Sequence, residues 1–338
     1  MGGGAIQAAI FAAGAVVGGG IATVIANKRR EATALPPRPV VTQGPPPVVG
    51  VDVAGQPRFE PPKGVQIVPS LPPVLRNGHP GPISDLLVRR AYVAAYDRRL
   101  RHPSWTAEHL NKASLTPSGG SSDSGDRSKS TFVEDESLPA QFRAKLQDYF
   151  RSGYDRGHMV PAADAKSSQD AMNETFLLSN IAPQVGDGFN RHYWAYLEDW
   201  CRKLTNNFDD VYVFTVPLYL PRQDSDGKWR VSHEVIGNPP NVAVPTHFAK
   251  VVLTTKPSQE TSIGAFVLPN AIIPDQAPLT SFVVPVDAVE KAAGLTFFAP
   301  ELKARSKHIC QSTKCEVTIR RFDDARKNAT KAIAAPKH

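Results

Sequence analysis

Cysteine is scarce in this chain, with three among 338 residues: Cys201, Cys310 and Cys315. Three thiols cannot supply the several bridges that hold a small secreted domain together. No histidine and cysteine set has the spacing of a zinc site, since His308 is the sole histidine beside the Cys310 and Cys315 pair. Those two cysteines either join in an oxidising compartment or remain thiols; spacing alone does not decide between them. Internal repeats are absent, so a repeat architecture is excluded. Charge is missing altogether from residues 5–26, a run of 22 that ends at Lys28-Arg29-Arg30. That gap does not fit an Arg-rich amphipathic transit peptide, and the run is too long, and lacks the leading basic residues, for a secretory core segment. As a helix it would span a bilayer, so residues 1–30 are expected to be a hydrophobic anchor or targeting segment. Gly14 and Gly18 add a small-residue pair of the kind that packs helices. Met1-Gly2 opens like a myristoylation signal, but Ile6 stands where Ser or Thr is required.

Proline dominates the next stretch instead. Residues 31–82 hold 14 of the 31 prolines, including Pro36-Pro37, Pro45-Pro46-Pro47, Pro61-Pro62 and Pro72-Pro73. Such a stretch favours extended polyproline conformations and reads as a tether. Residues 83–322 then form one large domain, with 41% hydrophobic content overall sufficient for a full core, and residues 323–338 a basic tail. The net charge of +7 favours a polyanionic partner. Residues 117–130, rich in Ser and Gly, read as an exposed loop.

Chemistry concentrates at Asp155-Arg156-Gly157-His158-Met159 and in a second polar set, Asn180, Asn190, Glu198 and Arg202. Between residues 191 and 206 the apolar positions Tyr193, Trp194, Leu197, Trp200, Cys201 and Leu204 recur at three and four residues, an amphipathic helix with one stripe in the core. Asn190 falls at its start, with Glu198 and Arg202 on a different side. Taken alone, Asn190 is an N-cap and Glu198–Arg202 an ordinary surface pair. Together with His158, however, they provide what phosphodiester cleavage needs: a base for water, a cation held by oxygen donors, and positive charge for the transition state.

The set resembles the DNA/RNA non-specific endonucleases of the ββα-metal class, within them the mitochondrial endonuclease G branch, over residues 91–299. The likeness is carried by Asp155-Arg156-Gly157-His158, by Thr175-Phe176-Leu177-Leu178-Ser179-Asn180-Ile181-Ala182-Pro183-Gln184, and by Asn190 with Leu197-Glu198. Pro217-Leu218-Tyr219-Leu220-Pro221-Arg222, Val244-Pro245-Thr246-His247-Phe248 and Leu268-Pro269-Asn270-Ala271 come after these in the same order. The resemblance implies that His158 is the general base and Asn190 the direct ligand of Mg²⁺, for which Mn²⁺ can substitute. It implies that Asn180 positions catalytic groups or substrate, that Glu198 holds metal-bound water, and that Arg202 contacts phosphate. Asp155 and Arg156 are supporting residues, and Arg127 is the upstream arginine against the phosphate. A single amide ligand suits Mg²⁺, which keeps several of its waters. One departure stands out: Val216 occupies a position that is glycine in the endonuclease G pattern, so the backbone there must suit a β-branched residue.

Strands are expected over residues 91–96, 105–110, 211–220, 249–254 and 262–268, with strand-like alternation at 316–320 and a short helix at 286–294 closed by glycine. This is an α+β domain, and the resemblance sharpens it to the ββα-metal nuclease fold, a central, mainly antiparallel sheet flanked by helices. The basic clusters 98–101 and 151–156 read as a solvated face and as a groove for the nucleic-acid backbone, respectively. A Mg²⁺-dependent, sugar non-specific endonuclease acting on DNA and RNA is therefore expected. By resemblance it leaves 5′-phosphate and 3′-hydroxyl ends, is a homodimer, and is mitochondrial, tethered to the inner membrane and facing the intermembrane space. The alternatives are a non-catalytic nucleic-acid-binding or docking protein on the same fold, and a phosphodiesterase for small or lipid phosphates.

Overall fold

A computed structural model describes residues 83–116 and 124–319, together with a short antiparallel backbone pair, Gly50–Val51 with Pro57–Arg58. The expected anchor, most of the proline-rich tether and the basic tail lie outside the described residues. The chain divides into two compact units, 1–81 and 82–338. Among the described residues no helix is long and apolar enough to cross a membrane.

The second unit is built on one sheet. Its long strands are β1 (Ser84–Val88), β2 (Tyr92–Asp97), β3 (His102–Leu110), β6 (Asp210–Leu218), β7 (His247–Thr255) and β8 (Thr261–Pro269). Two four-residue strands, β4 (Asp155–His158) and β5 (Ile181–Gln184), pair separately. With β9 (Val283–Val284) at the far edge, the order is β9-β8-β7-β6-β3-β2-β1, antiparallel throughout, and Lys307–His308 adds a parallel pairing to β8. The strands expected at 105–110, 249–254 and 262–268 are present with wider bounds, because the runs continue pairing beyond their densest stretch, while 91–96 is shifted by one residue and 211–220 ends at Leu218.

Period-two alternation assigns the two faces. Two short helices, α1 (Leu146–Tyr149) and α2 (Gln169–Glu174), precede the main one. In β7, Phe248 and Val252 pack with Tyr193, Trp194, Leu197, Trp200, Cys201 and Leu204, the stripe of helix α3 (Trp194–Leu204). Ala249, Val251 and Leu253 point the other way, towards Val289 of helix α4 (Val286–Ala293) and Phe298. Helix α4 ends at Gly294 in the left-handed region, φ 69°, where a Cβ would be strained. Val216 is fully buried in β6 opposite Ala249, so a β-branched residue fits the strand there. On the α3 face the same alternation places Lys250 of β7 and Glu108 of β3, two charges directed into a core.

The segment read as a strand at 316–320 is not one over its described residues. It runs along α3 instead: Trp200 Nε1 donates to the Lys314 carbonyl at 3.0 Å, and Lys203 Nζ to Thr318 Oγ1 at 2.9 Å. Cys310 and Cys315 are disulfide-bonded, which closes the turn that delivers this segment to the helix. The basic cluster 98–101 is structural, with Arg98 on Asp85 at 2.6 Å and both Arg98 and Arg101 over Phe142.

Candidate active site

His158 ends β4, paired with Ile181 of β5, and the chain beyond it is clamped by Asn180. The Asn180 carbonyl accepts from Met159 N at 2.9 Å, and its side-chain oxygen accepts from Val160 N at 3.1 Å. Its amide nitrogen donates to the carbonyls of Val160 and Thr175, at 3.0 and 2.9 Å. With both ends of a fully buried amide spent on backbone, Asn180 fixes the path of the strand end. Gly157 is required by close approach, since a Cβ there would collide with the Gln184 side chain.

The imidazole of His158 is boxed by two rings, Phe132 at 5.3 Å and Phe176 edge-on at 4.8 Å between centroids. Each ring carries an arginine: Arg156 lies 4.5 Å from the Phe132 centroid and Arg127 5.4 Å from that of Phe176. Only 8% of His158 is exposed, and its Nε2 is buried without a hydrogen-bond partner in the protein. Burial, then the Arg127 charge, pulls its pKa down to about 3, so the ring is neutral across the physiological range. Arg127 sits on a short 3₁₀ turn, Arg127–Lys129, capped by Asp126. With Lys129 and Lys166 it lines a cleft of about 410 Å³.

Asn190 does not cap a helix. It lies within a π-helical stretch, Gly186–Tyr193, that precedes α3; Tyr193 holds the N-cap position. Gly188 at φ 75° lets the chain turn, while buried Phe189 and Tyr193 hold the turn to the core. The Asn190 backbone N–H donates to the Val185 carbonyl at 2.9 Å, and its side-chain nitrogen donates to Asp155 Oδ2 at 2.9 Å. Arg191 completes the clasp on Asp155 at 2.6 and 2.8 Å. Among the described residues no group of three or more His, Cys, Asp or Glu could hold a metal. The donor set that exists is the Asn190 amide oxygen, which fits a hard cation that retains most of its waters.

Glu198 and Arg202 are not a surface pair. Arg202 donates to Asp164 at 2.7 Å and stands 3.8 Å from Asp199. Glu198 is half-buried, and desolvation lifts its pKa to about 7 against the nearby charges of Lys250, Arg202 and Arg127. Arg127 thus acts on both His158 and Glu198, which places the upstream arginine with the motif residues. Sequence reasoning missed the layer beneath. Lys250, 1% exposed, donates to Thr215 Oγ1 at 2.8 Å and lies 4.9 Å from the Trp194 ring centroid. Glu108 is buried, and its carboxyl is held far above the usual range by desolvation and by Asp164. A lone lysine and a lone glutamate inside apolar strands were the readable signal.

A neutral buried imidazole, two arginines, an amide and a carboxyl titrating near neutrality thus stand together on an α+β fold. Residues 72–304 match the model of the DNA/RNA non-specific endonuclease family, and the chain belongs to that family. Membership assigns it to the nucleases. It is 50% identical over 257 residues to "Nuclease 1, mitochondrial" of Schizosaccharomyces pombe, covering 75% of this chain and 78% of that one. To "Endonuclease G, mitochondrial" of Homo sapiens it is 42% identical over 231 residues, covering 68% and 74%. A chain in the crystal structure of the EndoG/EndoGI complex superposes with a TM-score of 0.61 at 45% identity, covering 66% of this chain and 89% of that one.

Proposed function

We propose that the chain is a Mg²⁺-dependent, sugar non-specific endonuclease that hydrolyses DNA and RNA to 5′-phosphate and 3′-hydroxyl ends. The observation that carries the reading is the buried, neutral His158, whose Nε2 has no protein partner and whose two flanking rings each carry an arginine.

His158 Nε2 takes the proton of the attacking water, a role for which an unprotonated imidazole is ready without first losing its own proton. Phe132 and Phe176 keep bulk water from the ring. Arg127 and Arg156 draw the phosphate to it, and Arg202, with one edge spent on Asp164, adds positive charge where the transition state gains negative charge. The Asn190 oxygen would hold the Mg²⁺, with Mn²⁺ as a substitute, and Glu198 would accept hydrogen bonds from waters on the ion. Such an ion supplies charge that stabilises the phosphate and the departing 3′ oxygen. Asn180 and Asp155 position, the first for His158 and the second for Asn190.

Relatives named as mitochondrial nucleases support a mitochondrial address. Residues 1–30 would anchor the enzyme in the inner membrane, residues 31–82 would tether residues 83–322 in the intermembrane space, and the enzyme would act as a homodimer. Cleavage of plasmid and RNA by the full chain, with Mg²⁺ and with chelator, beside His158→Ala, tests the activity. Metal-dependent cutting of both polymers, lost in the variant with its fold intact, is expected; undiminished cutting by the variant would remove His158 from the base role.

A further inference from the structure

Arg156 also lines a second cleft, of about 460 Å³, with Leu146, Tyr149, Phe150, Arg151 and Tyr154. Its surface is unusual for a fold that buries aromatic rings wherever it can. Phe150 is 62% exposed and Leu146 40%, although each loses favourable burial by facing water. Arg151 adopts a left-handed backbone, φ 55°, and sets its guanidinium 5.1 Å from the centroid of the Phe150 ring. The strained conformation thereby holds a cation beside an open aromatic face.

Charge around the cleft is one-sided. Asp155 also lines it, but its carboxylate is taken up by Arg191 and Asn190. Of the other acidic groups near the cleft, Glu234 is hydrogen-bonded to Tyr154, and Asp148 is taken up by the Lys145 backbone and Asn241. Arg151 and Arg156 remain, one over Phe150 and the other over Phe132, the ring that packs against His158. An exposed ring alternating with guanidinium groups matches a base with a phosphate on either side of it. A base inside a duplex has both faces covered, so the ring suits one that is unpaired.

We infer that this cleft is a stacking subsite for an unpaired nucleobase of the strand held at His158. Phe150 is its platform, and Arg151 and Arg156 bind the flanking phosphates. The inference rests on the nuclease reading for its occupant and deepens it by naming where the strand lies beyond the cut.

The test uses the full chain carrying His158→Ala, in chelator, with a single-stranded oligonucleotide containing 2-aminopurine. Stacking on Phe150 quenches the probe, and Phe150→Ala removes the quench and weakens binding on the order of tenfold. Phe150→Trp restores both, and Val88→Ala, 71% exposed on the edge strand, changes neither. Equal quench and affinity in Phe150→Ala overturn the inference, as does a loss that Phe150→Trp does not repair. The two readings fail separately. If the parent chain with Mg²⁺ cuts nothing while the His158→Ala chain still shows the Phe150-dependent quench, the nuclease assignment is lost and the subsite kept; if the parent chain cuts and Phe150→Ala is unaltered in binding, the first is kept and the second lost.

Discussion

The Asn190 side-chain nitrogen donates to Asp155 Oδ2 at 2.9 Å, and that bond determines which end of the amide faces the site. A carboxylate accepts only, so it takes the NH₂ end and turns the oxygen outward. Asp155, the first residue of the Asp-Arg-Gly-His run, therefore acts through a residue on another element.

Removing that acceptor frees the amide to rotate. Asp155→Ala is expected to raise the Mg²⁺ concentration for half-maximal cleavage by about 10- to 100-fold, the range for partners that orient a metal ligand. A metal titration of cleavage rate checks it, and an unchanged requirement would show that Asn190 is oriented by other means.

Glu198 titrates near 7 because it is desolvated. Below that pH it is protonated, has lost its negative charge and turned one acceptor oxygen into a donor, and so holds waters on a cation less well; the cleavage rate should rise through neutrality and level off above it. His158, held near 3, contributes no limb in that range. Glu198→Gln should lower the rate and abolish the limb in a pH profile of kcat/KM; persistence of the limb would assign it to another group.

Lys250 is the largest charge holding Glu198 down, and it sits buried beside Trp194. Lys250→Met leaves the carboxyls of Glu108, Asp164 and Glu198 with less compensation. Breaking a buried ionic group of this kind costs about 3 kcal/mol, readable as a lower denaturant midpoint. The limb assigned to Glu198 should move upward in the same variant, a shift that loss of packing alone does not produce.

Acid should destabilise the domain through its buried histidines, starting near the ordinary histidine pKa. His102 is fully buried, accepts from the Tyr219 hydroxyl at 2.6 Å and donates to the Pro103 carbonyl at 2.7 Å, and burial lowers its pKa to about 4. Between about 6.5 and 4 the unfolded chain binds the proton that the folded chain refuses, so stability is full above 6.5 and falls as pH falls. The loss approaches about 1.4 kcal/mol per pH unit for this residue. Urea midpoints at pH 7 and pH 5 measure it, and His102→Gln should reduce the difference by this residue's share, the rest resting on His158 and His247; equal midpoints in the parent protein would contradict it.

Much of this was legible because one period sets each element. The α3 stripe from Tyr193 to Leu204 and the β-branched runs of β6, β7 and β8 announce themselves locally, and His158 stands in a motif of adjacent residues. Glu108, Asp164 and Lys250 were not legible as a group, since three separate elements bring them under Arg202 and Glu198 and no local pattern records that meeting. Asn190 looked like a cap because caps and this residue share a composition; the π-helical turn arises from Gly188 and the burial of Phe189 and Tyr193. Residues 316–319 alternate like a strand, yet the Cys310–Cys315 bridge and Trp200 commit them to a helix surface.

The turn from Gly186 to Tyr193 has a consequence for length as distinct from identity. The turn is kinked at Asp187 and Gly188, so one residue inserted between Gly186 and Asn190 would carry the amide away from Asp155 with every side chain unchanged. The stretch is therefore bound in number as well as in identity, and a gap there marks a chain that has lost the site even where its motifs still read intact.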